Sequence, residues 1–414
     1  MKAWTWVLVG IAASAISWAY IHRILMQWEH YVNVEHGWVK VPMGDLYPRW
    51  VGTEELLLHG QNPYSAQVSH KIQIAFYGQP IEQSYDKPLV KIIDEQRFAY
   101  PVYVVFLLAP TVHANFDTVQ RWAPVVLAAL LVVSLWLWLV VLGWRPPAWL
   151  LFTLVFLLLS SPQIAQGMRL RQFGMFVAFL LALATWCLTR NQLFAAGALL
   201  AIATIKPQMV ALCLAWFFIW SLGEWKKRWP LAAGFAVTLG LLAGAGDFLV
   251  PGWVRYFLEA MEAYRKYFPL GAMSVIRLIL GNWIGGIFSV VAIIVLLVYA
   301  WGKRAATAQS PEFVRVLSFF FITATLVLPL LTPYNQVLLL LPLLILIRDW
   351  GQLPRWDRVA CALFLAWPFL AAAGLLLFPP PVSVHHTALL PSVLLPLAPF
   401  LFFWLMFTHG RRQA

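Results

Sequence analysis

The sequence predicts an all-α integral membrane protein, a polytopic bundle of about twelve transmembrane helices, and three observations lead there. Of 414 residues, 62% are hydrophobic and only 11% charged, against roughly 25% charged in a soluble domain, and the mean hydropathy is +0.75. The apolar runs are far longer than the strands of a membrane barrel, so helices are the remaining way to pair every backbone polar group in hydrocarbon. The 23 Trp and 13 Tyr suit an interfacial belt, where an amphipathic ring is most stable.

Apolar segments fall at about 3–21, 120–143, 148–161, 173–189, 193–205, 207–222, 231–247, 283–301, 314–330, 335–347, 358–378 and 388–408. The first follows Lys2. Ala12, Ala13 and Ala15 are small enough for a signal-peptide cleavage site, but bulky Trp18, Tyr20 and Ile21 and a polytopic remainder favour a retained helix. Short loops carrying Lys226-Lys227-Arg228, Lys303-Arg304, Arg348 to Arg358 and Arg411-Arg412 are expected inside, by the bias of basic residues to the cytoplasm. Both termini then lie inside, and residues 1–414 form a single membrane-embedded unit.

The region from about 22 to 119 is a long first external loop with one ambiguous apolar piece, Tyr100 to Val112. If that piece spans, Arg169 and Arg171 become cytoplasmic and 193–222 is one overlong helix containing Lys206. If it lies at the interface, 193–222 divides at Lys206-Pro207 and all three cations face outward. Proline ends or kinks a helix, and the division puts the lysine at a boundary instead of in lipid, so the second topology is preferred. A second large external loop, about 248–282, mixes Tyr256, Phe257, Tyr264, Tyr267 and Phe268 with Arg255, Arg265 and Lys266, the pattern of an interfacial amphipathic helix.

The formal net charge of +12 sits in short clusters between apolar runs, as topology signals, which argues against a nucleic-acid partner. Cys187, Cys213 and Cys361 all lie inside apolar runs and offer neither metal spacing nor a disulfide framework. His385-His386 lacks a carboxylate companion, and no DxD, CxxC, HExxH, GxSxG or Walker pattern is present. No metal or cofactor is expected.

Polar chemistry concentrates in a few places. The first loop holds Gly44-Asp45-Leu46-Tyr47-Pro48-Arg49-Trp50, then Glu54-Glu55-Leu56-Leu57-Leu58-His59-Gly60 and Asn62-Pro63-Tyr64. A carboxylate at the outer mouth of a bundle can take the proton of a hydroxyl nucleophile; a helix cap or salt-bridge partner is the plainer role for Asp45. Arg97-Phe98-Ala99-Tyr100-Pro101 lines a groove or merely anchors a turn. Arg169, Arg171 and Gln172 form a donor-rich turn whose guanidinium forks match phosphate oxygens; under the other topology they are ordinary inside charges. Lys206-Pro207-Gln208 interrupts a long hydrophobic stretch, and Tyr334-Asn335-Gln336 opens another span on the same face. An ionisable group at such depth is a functional hypothesis, with snorkelling its bland alternative.

Asp45 followed by an aromatic, a small helix, Asn62-Pro63-Tyr64, then Phe98-Ala99-Tyr100-Pro101, Gln172 opening a helix and Lys206-Pro207-Gln208 together resemble the bacterial GT-C membrane glycosyltransferases of family 87, which include polyprenyl-phosphate-mannose-dependent mannosyltransferases. The usable motifs run from Asp45 to Gln208. Two positions depart from the family's pattern: its Gly-Gln-x-Asn turn is here Arg171-Gln172-Phe173-Gly174, and a histidine before a late Leu-rich helix is here Asn335.

The resemblance implies a GT-C-like bundle with interfacial helices in the first loop, Asp45 as general base, and a donor lipid entering sideways from the outer leaflet of a bacterial or archaeal cytoplasmic membrane. Donor phosphate and acceptor would meet Tyr47, Arg49, Tyr100, Arg169, Arg171, Gln172, Lys206, Gln208 and Asn335. The implied partners are a polyprenyl-phosphate sugar, a lipid or glycan acceptor and membrane lipid. A non-catalytic lipid-phosphate carrier and an assembly subunit are the rival classes; a carrier would move labelled lipid without forming a glycoside.

Overall fold

The computed structural model describes residues 3–36, 44–78, 95–267, 273–330, 332–381 and 398–413. His385-His386 and the first ten residues of the 388–408 segment lie outside them. Among the described residues all regular structure is helical.

Helix α1, Ala3–Tyr20, runs through a π turn, Ile21–Leu25, into α2, Met26–His36. Residues 4–31 form one apolar rod of 28 residues, about 42 Å at ~1.5 Å per residue, long enough to cross hydrocarbon. Next come α3, Leu46–His59, stopped by left-handed Gly60, and α4, Ala66–Tyr77, whose first turn is capped by Ser65 accepting the Val68 N–H. The two pack through Trp50, Val51, Val68 and Ile72. Helix α5, Val104–Leu108, has five residues, far too few for a span, and Val102, Val104 and Val105 bury it in the main core.

The bundle continues with α6, Phe116–Val141, and α7, Ala148–Ser160, then α8, Pro162–Arg169, which bends 55° from α7 at the Ser161-Pro162 step. Helices α9, Gly174–Thr189, α10, Leu193–Ala203, α11, Pro207–Gly223, and α12, Trp225–Leu249, follow. The 248–282 region supplies α13, Trp253–Tyr267, and α14, Val275–Leu280. Exposed ion pairs Arg255–Glu259 and Arg265–Glu262 mark the polar side of α13, and Trp253 and Ala260 its buried side. Last come α15, Asn282–Gly302, α16, Pro311–Val327, a 3-10 turn at Pro333–Leu339 leading into α17, Leu340–Arg348, then α18, Arg355–Leu377, and α19, Ala398–Gln413.

Among the described residues five helices are long and apolar enough to cross a membrane on their own, or six if the bent α7–α8 pair is one span. The other apolar helices, α9 to α11 and α17 among them, are shorter than a span, and the interior is built from several of them: α16 is buried along nearly its whole length, and Trp216 of α11 packs on Phe313 and Phe320. The rim helices instead turn large apolar residues outward, Trp283, Ile287 and Val298 of α15 among them.

The loops gather at two ends. At one end Arg228 donates to the carbonyls of Trp220, Arg304 and Ala306, Gln309 to Thr189, and Arg348 to Leu142. The other end holds α3 to α5, the α8–α9 turn, the α10–α11 break and the 3-10 turn before α17.

Candidate active site

Asp45 is held by its neighbours before its side chain is considered. Gly44 takes a left-handed backbone (φ +57), and a Cβ there would lie 2.9 Å from the Leu170 carbonyl oxygen. That closeness lets the Asp45 N–H donate to the same oxygen at 2.9 Å. Asp45 occupies the N-cap position of α3, yet its carboxylate caps nothing. It accepts instead from the Gln172 side-chain amide. One turn on, Arg49 donates to the Asp45 carbonyl and lays its guanidinium 4.6 Å over the Tyr100 ring.

The 169–172 turn that receives Asp45 is strained, because Arg171 sits at φ +54, a conformation costing about 1–3 kcal/mol for a residue other than glycine. Arg171 stabilises the turn by donating to the Arg169 carbonyl at 2.6 Å and to that of Gln120 at 3.3 Å. Arg169 points elsewhere: its two terminal nitrogens donate to the two Glu29 carboxylate oxygens, both at 2.5 Å.

Lys206 ends the α10–α11 break, and Pro207 takes the first helical position, where its missing N–H costs nothing. The lysine is buried. Its Nζ donates to Asn335 Oδ1 at 2.9 Å and to Gln172 Oε1 at 3.3 Å, and lies 5.1 Å over the Tyr334 ring. Asn335 is fixed in turn by donating to Thr332 Oγ1 at 2.5 Å. Gln172 thus spans the site, its amide nitrogen on the carboxylate and its amide oxygen on the ammonium. A buried ammonium without such acceptors would be strongly disfavoured, and the nearby Asp45 charge offsets part of that penalty.

Aromatic contacts stitch the outer side. Asn62 Oδ1 accepts from the Tyr64 N–H at 3.0 Å, the Tyr64 hydroxyl donates to the Tyr100 carbonyl at 2.5 Å, and Tyr64 meets Phe98 edge to face. Tyr100 packs edge-on against Phe173, beside Gln172. Burial pushes the Tyr64 and Tyr47 phenols above their usual pKa, with Glu54 adding to the effect at Tyr47; both stay protonated at neutral pH.

Six of the residues singled out in the sequence therefore meet: Asp45, Arg49, Tyr100, Gln172, Lys206 and Asn335, with Arg171 alongside Gly44. Tyr47 packs on Phe116 and Phe76 instead. Gln208 is half-buried on the first turn of α11 and joins none of these hydrogen bonds. Arg169, expected to face a phosphate, is engaged by Glu29. Sequence reasoning missed Glu29, Gln120 and the role of the Tyr334 ring; a lone carboxylate closing the first apolar run was the available signal for Glu29. Among the described residues no three of His, Cys, Asp and Glu cluster as metal ligands would.

No curated protein and no solved structure matches the chain. The model of glycosyltransferase family 87 matches residues 98–333. That stretch opens at the Phe98-Ala99-Tyr100-Pro101 step and includes Gln172 and Lys206; Asn335 stands two residues beyond its end, and Asp45 lies 53 residues before its start. A match over more than half of an all-helical, lipid-suited chain decides the family: the chain belongs to glycosyltransferase family 87 and is an integral membrane glycosyltransferase.

Proposed function

We propose that the protein transfers a hexose, with mannose the first candidate, from a polyprenyl-phosphate sugar to a hydroxyl of a lipid or glycan acceptor, on the extracytoplasmic face of a bacterial or archaeal cytoplasmic membrane. The observation that carries the reading is the Asp45 carboxylate, which begins α3 without capping it and is joined through Gln172 to buried Lys206. In this reading Asp45 removes the acceptor proton while the hydroxyl oxygen attacks the anomeric carbon. The bond from that carbon to the phosphate oxygen breaks on the opposite face, the configuration inverts, and the electron pair leaves with polyprenyl phosphate. Lys206 with Arg49 near it, and Arg171 alongside Gly44, offset the charge growing on the phosphate, and such preorganised charge is commonly a large catalytic contribution. Asn335 and Tyr100 hold the cations in place, and Tyr47 and Gln208 flank the approach. No step calls for a metal.

The sidedness rests on charge. The basic loops at 226–228, 303–304 and 348 lie at the end opposite Asp45, and such loops favour the cytoplasm. In this reading both termini lie inside and the bundle crosses the membrane about twelve times, once for each apolar segment of the sequence.

Asp45→Asn tests the chemistry. With a polyprenyl-phosphate sugar and acceptor, turnover is expected to fall about 100 to 10,000-fold, the usual range for a general base, with donor KM changed by less than about threefold. Undiminished turnover would remove the aspartate from its role, and movement of labelled donor without glycoside would favour a carrier.

A further inference from the structure

Glu29 stands at the far end of the 28-residue N-terminal rod, beyond the π turn at Ile21–Leu25. It belongs to no motif of the site, yet it forks onto Arg169 across 140 residues of sequence. Bidentate pairing fixes orientation as well as distance. Beyond Arg169, each following residue of the turn reaches Asp45 or its support. The Arg169 carbonyl accepts from Arg171 at 2.6 Å, the Leu170 carbonyl accepts from the Asp45 N–H at 2.9 Å, and Gln172 donates to the Asp45 carboxylate. A turn with a non-glycine residue at φ +54 persists only where its surroundings over-determine it. The Glu29–Arg169 fork is the outermost of those restraints, its side chains 35% and 23% exposed.

We infer that Glu29 is a positioning residue for the transfer reaction: through its fork with Arg169 it holds the 169–172 turn in the register that sets the Asp45 carboxylate. The inference rests on the reading of Asp45 as the base. A small displacement of a reacting group is enough to matter, since about 1 Å can cost on the order of 100-fold in rate.

The test compares Glu29→Gln, Arg169→Gln and the exchanged pair Glu29→Arg with Arg169→Glu. Either single variant is expected to lower kcat about tenfold while donor KM stays within about twofold, and the exchanged pair to recover to within about threefold of the parent. An unchanged kcat, a rise in donor KM alone, or an exchanged pair no better than the single variants would overturn the inference. A second readout is independent of catalysis. In an Asp45→Cys background, labelling at position 45 by a small thiol reagent is expected to quicken at least about threefold when Glu29 becomes Gln, because a loosened turn uncovers that position; an unchanged rate overturns the positioning. Intact turnover in Asp45→Asn would overturn the base reading and with it the effect on kcat, while the labelling rate still reads whether Glu29 holds the turn.

Discussion

At Gly174 the site leaves no room for a methyl group. A Cβ there would sit 3.2 Å from Lys206 Nζ and 3.2 Å from Met209 Sδ, so the ammonium or the sulfur would have to shift by a few tenths of an ångström. Gly174→Ala therefore sets two effects against each other. Alanine favours a helix over glycine, by less at the first helical position that Gly174 holds than the about 1 kcal/mol of a helix interior, whereas the displaced lysine no longer faces Gln172 as before. The expected result is a thermal midpoint equal to or above the parent's with turnover down about tenfold, measured by unfolding in detergent and by transfer assay. At this scale the sequence was most informative where a polar residue interrupts an apolar run, as at Lys206, Gln172 and Asn335, because such a group must find a partner or a role. It was least informative about direction. Arg169 and Arg171 sit two residues apart and read alike, but the left-handed backbone at Arg171 sends one guanidinium to the turn's own carbonyls and the other to Glu29.

Elements meet their neighbours mostly through apolar packing, and the α11–α12 corner shows where a charge takes over. Arg228 reads in the sequence as one of three inside-positive residues. It is buried, lies 4.0 Å over the Trp220 ring, and donates to three carbonyls, tying α11 and α12 to the 304–306 turn. Lysine keeps the charge but lacks the planar fork. Arg228→Lys is accordingly expected to lower stability by about 2–4 kcal/mol, since buried carbonyls lose charged donors, with membrane orientation unchanged; thermal unfolding of the purified variant measures it. Other elements were legible. The division of 193–222 at Lys206-Pro207 follows from proline chemistry and is where α10 gives way to α11. The 148–161 run coincides with α7, whereas α8 was not legible, because past the 55° bend at Ser161-Pro162 the residues are too polar to extend an apolar run.

For the whole molecule, composition sufficed to identify a helical membrane bundle, while the meeting of loop residues from five separate segments at one end is a tertiary fact that no local pattern encodes. Asp45, Gln172, Lys206 and Asn335 form one centre remote from the basic loops, and the proposed function requires that end to be extracytoplasmic. Single cysteines at two exposed positions test this sidedness, His59→Cys at the other end of α3 from Asp45 and Lys227→Cys in the basic first turn of α12, against native cysteines that are all buried. In intact cells a membrane-impermeant maleimide is predicted to label position 59 at once and position 227 only after permeabilisation. Labelling of 227 from outside, or of both positions from one side, would contradict the account.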